Sequence, residues 1–446
     1  MRLLLSVVVL LVASGCAYLD PHNMLFRRVG GLEPTQNDFS PRTRPPLTAA
    51  EREEAFDFVW GTINERYHDP ALNGADWAGA ARRYRPLALA AKDDPAFWDI
   101  LDRMTGELHD AHTRVESPAN VELRRRDESI TLGFAFARVE GRLAVTGVNS
   151  ESDAYWAGVR PGMILVAIDG EPAEAAYAKL EESTRYDSTE RSRHQRAVRR
   201  LTAGDEGSKV AFTFERGDGT RFDALLSRRK ISTRPSESHR VLPSGFGYLR
   251  IGVWNFTLAG RALDALEELK STPGLVIDLR NNPGGALPAV NRVLERFFVH
   301  RTELGRSTTR TGKPVSLFFG TVEIIKLKAV IDGRPDAYEK PVVILVNSGS
   351  ASGSELFAGT MQAAGRAKVV GTPSCGCLLG FLGYALIPGG GELAYSEVGF
   401  VMTNGKRIEG EGVIPDHVVT PTLADLRQNR DRTLEEAQEI LRTLVK

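Results

Sequence analysis

Val342-Val-Ile-Leu-Val-Asn-Ser-Gly-Ser-Ala-Ser-Gly-Ser-Glu-Leu-Phe-Ala358 joins two kinds of sequence. Val342–Val346 is short, apolar and β-branched, the composition of a strand buried on both faces. Ser354–Ala363 reads as a helix closed by Gly365. Between them, small residues leave Ser352 accessible at a helix start. The first N–H groups of a helix are unpaired and its dipole favours negative charge, so an oxyanion forming there is stabilised. Ser352-Gly-Ser-Glu355 also fits a capping box, which needs no catalytic role.

The neighbouring sequence repeats the strand–helix alternation over 235–425. Strands are expected at Gly247–Ile251, Gly274–Leu279 and Val369–Gly371, with helices at Leu258–Lys270 and Leu287–Val299. That order predicts a βα-layered domain around a buried sheet. Asp278-Leu-Arg-Asn-Asn-Pro-Gly-Gly285 follows one of these strands. Gly284 and Gly285 lack side chains, so an N–H of either can approach a substrate carbonyl. Asp278 sits within the strand and reads as structural.

Two further motifs complete a set. His112 lies in Leu108-His-Asp-Ala-His-Thr113, and Glu409 in Ile408-Glu-Gly-Glu-Gly-Val413, with Glu411 as its alternative. Histidine is a base, serine a nucleophile, and a carboxylate can orient the imidazole. Gly353 N–H with that of Gly284 or Gly285 would hold the oxyanion. His109 and His112 lack the glutamate of His-Glu-x-x-His and a third ligand, so neither metal nor cofactor is expected.

The remaining chain divides by composition. Arg2 followed by apolar Leu3–Ala13 is a targeting segment too short to span a bilayer. Ala13-Ser-Gly-Cys16 resembles a bacterial lipobox, which implies that residues 1–16 end in a lipidated Cys16. Ala17, in place of aspartate, favours the outer membrane, facing the periplasm. Residues 17–47 contain five prolines and read as a tether. Residues 48–118 read as helical, with Thr48 and Glu51 forming a capping box and Phe56, Val59, Trp60 and Ile63 at helical spacing. Residues 426–446 end the chain in an amphipathic helix.

Residues 128–230 differ again. Ile130–Phe136 and Leu143–Val148 read as strands, and Val210–Phe214 and Arg221–Leu226 as a hairpin. Ser152–Gly170 carries a short helix ending at Ala157-Gly158, then Arg160-Pro-Gly162 and a strand into Asp169-Gly170. This resembles a PDZ domain. The resemblance implies that Leu132-Gly133-Phe134 is a carboxylate-binding loop for peptide C-termini. The basic run Arg191–Arg200 reads as a solvated helix face.

The chain has 446 residues, room for roughly three domains. Lys+Arg and Asp+Glu both number 57, so no global charge points to nucleic acid. Beyond Cys16 only Cys375 and Cys377 remain, and they are expected as two thiols because bridges between cysteines so close together fit poorly.

These stretches, in order over about residues 50 to 420, resemble the C-terminal processing proteases and the tricorn core protease. The matching motifs are Leu108–Thr113, the PDZ-like segment, Val276–Gly285, Val346–Ala358 and Gly412-Val-Ile-Pro-Asp416. The resemblance implies a multidomain α+β architecture: an N-terminal helical region, a PDZ domain and a ClpP/crotonase-like α/β catalytic domain. It implies a serine peptidase of polypeptides with Ser352 as nucleophile. The processing proteases place a lysine in the loop after the next strand. Here Gly371-Thr-Pro-Ser-Cys-Gly-Cys377 stands there, with Cys377 at the lysine position. The tricorn branch uses serine, histidine and glutamate, which falls on Ser352, His112 and Glu409. Its serine before the histidine is Ala111 here, so Glu409 would reach His112 directly, through water or through Thr113. The alternative is a catalytically dead, PDZ-containing peptide-binding scaffold.

Overall fold

The computed structural model describes residues 45–318 and 320–445. The targeting segment, Cys16 and nearly all of the tether lie outside the described residues. The chain forms two compact units, neither continuous in sequence. One gathers the chain up to Val121 with Arg301–Asp332 and Leu378–Glu409. The other gathers Glu122–His300, Gly333–Cys377 and Gly410–Lys446.

The first unit is built on helices Ala49–Arg66, Trp77–Leu89 and Asp94–Thr105. The expected cap forms: Thr48 N–H donates to Glu51 Oε2 at 2.8 Å, and Glu51 N–H returns to Thr48 Oγ1 at 3.2 Å. The apolar stripe Phe56, Val59 and Ile63 packs with Tyr67, Trp77, Phe97, Leu101 and Met104 into one core. Val115, Leu393 and Tyr395 enter the same core from a small sheet, in which Arg114–Glu116 pairs antiparallel with Glu392–Ala394. The sequence between Leu108 and Arg114 is thereby fixed at both ends, which positions His112.

The second unit holds the sheet anticipated from Val342–Val346. Its order is Glu237–Val241, Gly247–Ile251, Leu275–Asp278, Val342–Val346, Lys368–Gly371 and His417–Val418, parallel except at the first pair. Strand residues alternate between faces. Val276, Val343 and Leu345 pack with Ala437, Ile440 and Leu441 of the terminal helix Arg432–Leu444. Trp254 stacks on Phe357, and Phe297 meets Phe357 edge-on. Asp278 is fully buried; it accepts from Tyr248 Oη at 2.7 Å and from Arg280, which also bridges to Asp431. It anchors the strand end before the glycines, a structural role.

The same unit contains a sheet ordered Phe134–Val139, Arg142–Val148, Ile164–Ile168, Lys209–Glu215 and Arg221–Ser227 around a core of Phe134, Phe136, Phe212, Phe214 and Tyr177. Ile130–Phe136 is not one strand. Glu128–Thr131 pairs with Arg229–Ser232, and the chain breaks at Gly133, with φ +76°, before Phe134 joins the larger sheet. A Cβ there would lie 2.1 Å from Ser152 Cβ, so the break requires glycine. The basic run is a solvated face only in part, with Arg199 and Arg200 exposed and the other arginines half-buried. In helix Glu190–Thr202, Arg196 Nε reaches buried Asp187 at 2.9 Å, and Arg193 reaches the Glu181 carbonyl at 2.8 Å.

Candidate active site

Ser350 ties the turn after Val346 to the neighbouring strand end: its Oγ donates to the Leu279 carbonyl at 2.8 Å. Ala351 N–H donates to the Asn282 carbonyl at 3.0 Å. Between these anchors and helix Gly353–Ala363, Ser352 sits at φ 53°, ψ −116°. That is the backbone of the first central residue of a type II′ turn, where glycine is preferred. A serine held there costs of order 1–3 kcal/mol, and such residues cluster at functional sites. Glu355 N–H bonds to the Ser352 carbonyl at 2.9 Å, and the Ser352 N–H donates to Glu355 Oε2 and to the Cys377 carbonyl, both at 3.0 Å.

Gly284 and Gly285 come up against this turn. A Cβ on Gly284, at φ +99°, would lie 2.6 Å from Ser352 Cβ and 2.9 Å from Gly353 N. Gly284 is therefore needed for close approach, but its N–H is already given to Asn282 Oδ1 at 2.9 Å. Of the two glycines expected as alternative oxyanion donors, Gly284 thus has its N–H engaged within the chain. Gly285 N lies 3.6 Å from where a Cβ of Gly353 would be, so these two backbones are neighbours. Gly284→Ala is expected to slow reaction of Ser352 with a fluorophosphonate probe about 100-fold, by displacing the turn. Urea unfolding should show a loss of about 2 kcal/mol.

Glu355 was visible in the sequence only as a cap. It is fully buried, and its carboxylate also accepts from Ser374 Oγ at 2.6 Å, Gly376 N–H at 2.7 Å and Cys377 N–H at 2.9 Å. Burial pushes its pKa up to about 7, against the pull of these donors. The donors belong to the loop in the lysine position, and that loop corrects another expectation. Cys375 and Cys377 form a disulfide. Gly376, at φ +74°, turns the chain so that the two Cα atoms lie 5.2 Å apart, inside the usual span of a bridge.

The first unit holds His112 and Glu409. His109, at φ 51°, ends a short helical turn and swings the chain inward. Asp110 is fully buried; its Oδ1 accepts the His112 N–H at 2.7 Å, and its Oδ2 accepts Thr113 Oγ1 at 2.5 Å. Burial opposes the charge on Asp110. The facing His112 and hydrogen bonds from Ser396, Thr113 and His112 outweigh it and hold the carboxyl below its usual range. The far side of His112 is fixed too, since its carbonyl accepts Arg114 Nη1 at 3.2 Å and its ring lies 6.2 Å from that of Phe381. Glu409 Oε2 accepts the Leu378 N–H at 2.6 Å. Tyr67 brings the two acids into one neighbourhood: burial, then the charges of Asp110 and Glu409, hold its phenol far above the ordinary range. Thr113 is engaged with Asp110; Ser352 and Glu411 both belong to the other unit. Sequence reasoning missed Asp110 and Tyr67. An aspartate two residues before a histidine, able to accept that residue's N–H, was the available signal.

Residues 245–419 match the model of peptidase family S41, and residues 48–106 match the tricorn protease C1 domain. The chain carries a peptidase family S41 domain. Family S41 is one of serine peptidases, hydrolases that act on polypeptides. The chain is 26% identical over 397 residues to the chloroplastic carboxyl-terminal-processing peptidase 2 of Arabidopsis thaliana, covering 84% of this chain and 70% of that one. It is 25% identical over 413 residues to a Streptomyces coelicolor protein named as a tricorn protease homolog, covering 87% of this chain and 32% of that longer one. In fold it is similar to a photosystem II D1 C-terminal processing protease, with a TM-score of 0.55 at 23% identity, covering 90% of this chain and 98% of that one.

The loop expected from the PDZ resemblance to bind peptides is Leu132, Gly133 and Phe134. Leu132 N–H donates to the Thr202 carbonyl at 2.9 Å, and Gly133 N–H to Thr131 Oγ1 at 3.3 Å. Phe134 pairs with Val148.

Proposed function

We propose that this S41 protein is a serine endopeptidase of protein substrates, anchored by a lipidated Cys16 and facing the periplasm. The observation that carries the reading is Ser352 at positive φ between a buried parallel strand and a helix start, pressed against Gly284. Ser352 Oγ attacks the scissile carbonyl, and His112 takes its proton and returns it to the leaving amine. The N–H groups of Gly353 and Gly285 hold the oxyanion. Water, activated by His112, then cleaves the acyl-enzyme. Glu409 orients the imidazole and stabilises its charged form. Asp110 supports it by fixing the His112 main chain. Residues 128–230 act as a PDZ domain that presents polypeptide C-termini, through Leu132-Gly133-Phe134 once the Leu132 N–H is released from Thr202.

His112→Ala is expected to remove labelling of Ser352 by a fluorophosphonate probe. Glu409→Gln should slow labelling by up to about 10⁴-fold, as loss of the orienting acid does in other triads. Wild-type protein that never labels, with residues 128–230 present or deleted, would favour the peptide-binding scaffold instead. For the anchor, Cys16→Ser should move the protein from the membrane to the aqueous fraction, because an acyl chain contributes about 0.8 kcal/mol per buried CH₂. An unchanged distribution would remove the anchor from the proposal.

A further inference from the structure

We propose that the Cys375–Cys377 disulfide is a covalent positioning element for the Ser352 turn, and that its reduction by a dithiol lowers the reactivity of Ser352. The inference rests on the reading of Ser352 as nucleophile. The disulfide loop holds that turn at three points. Cys375 N–H donates to the Ser350 carbonyl at 2.9 Å, two residues before Ser352. The Cys377 carbonyl accepts the Ser352 N–H at 3.0 Å. Gly376 and Cys377 N–H groups both bind the Glu355 carboxylate, which in turn accepts the Ser352 N–H.

The loop has no regular secondary structure of its own, and its middle residue takes a left-handed conformation. It is clasped from outside by helix Glu190–Thr202. Thr189 Oγ1 donates to the Cys375 carbonyl at 2.6 Å, and Arg191 Nε to the Ser374 carbonyl at 2.9 Å. The bridge joins the two residues whose main chains touch Ser350 and Ser352, so the loop's width and the turn's geometry are set together.

Reduction breaks the S–S bond. Two electrons and two protons pass from the dithiol, each sulfur becomes a thiol, and the donor closes to its own disulfide. Two thiols cannot remain at bonding distance, so the sulfurs separate to van der Waals contact. The Cys375 and Cys377 main chains then shift, and with them the bonds to Ser350, Ser352 and Glu355. A misplacement of about 1 Å at a reacting group costs about 100-fold in rate.

The test compares the oxidised full-length protein with the same protein after dithiothreitol under native conditions. Alkylation and intact mass count the thiols, circular dichroism follows the fold, and two readouts report the turn: the fluorophosphonate labelling rate and amide hydrogen exchange over residues 350–357. The expected result is two new thiols, unchanged secondary structure, faster exchange in 350–357 and labelling slowed about 100-fold. Reoxidation should restore both readouts. The Cys375→Ala/Cys377→Ala variant should label at the slow rate and ignore dithiothreitol.

Reduced protein with unchanged exchange and labelling would overturn the proposal. So would thiols that appear only on global unfolding, since the bridge would then be a staple with no control over the site. An oxidised wild type that never labels removes Ser352 as nucleophile, while hydrogen exchange still decides whether the bridge positions the turn.

Discussion

Ser352→Ala should abolish fluorophosphonate labelling and reduce peptide hydrolysis by about 10⁶-fold, the loss seen when a triad nucleophile is removed. A capping serine would behave differently, losing only about 1 kcal/mol of stability and no chemistry. Ser352→Gly separates the roles further. Serine at φ 53°, ψ −116° holds a conformation that glycine adopts freely. The glycine variant should therefore be equally inactive yet more stable by about 1 kcal/mol. A stable, inactive glycine variant would mean that the backbone energy at this position serves the hydroxyl. If alanine keeps substantial hydrolysis, Ser352 is not the nucleophile.

The second large effect concerns Glu355. Replacing it with alanine leaves donors on Ser374, Gly376 and Cys377 facing a cavity, while the Ser352 N–H keeps the Cys377 carbonyl. Unmade buried hydrogen bonds cost about 1–3 kcal/mol each, with some relief from relaxation, so a total near 4 kcal/mol is expected in urea unfolding. Glu355→Gln keeps one acceptor oxygen but turns an amide NH₂ towards N–H donors, and should cost about 2 kcal/mol. The pH dependence has a definite sign. The carboxyl's ordinary value is 4.5, and burial raises it to about 7 in the folded state. Between these values the folded protein binds the proton more tightly than the unfolded chain does. Its contribution to stability is thus fully present below 4.5 and is lost as pH rises through about 7. The melting temperature of wild type relative to Glu355→Gln should fall across that window. A difference that stays flat would show that the carboxyl titrates alike in both states.

The legible parts of this protein were those encoded locally. Val342–Val346, the Thr48–Glu51 cap and the strand end at Asp278 each declare themselves within a few residues, through period, capping chemistry or β-branching. The cysteine pair did not. Its spacing argued for thiols, and only the left-handed turn at Gly376 makes the bridge possible. Asp110 carried a local signal in its reach to the His112 N–H, but its complete burial is not revealed by the residues on either side. The basic run after Glu190 misled for a related reason. Arginine stems cover apolar surface while their heads seek carbonyls and carboxylates, so charge density alone does not mean solvent. That the Gly284 N–H is already engaged turns on one side-chain acceptor, Asn282 Oδ1, beyond the reach of sequence reading.

The two compact units are interleaved along the chain, which has a consequence for synthesis. Leu393 and Tyr395 complete the core around the first helices, and the second unit's sheet receives its covering helix only at Arg432–Leu444. A growing chain therefore cannot close the first core before Tyr395 has emerged, nor cover the second unit's sheet before Arg432–Leu444 has. Each unit thus waits for late segments of the chain, so neither can finish folding as an early, independent piece.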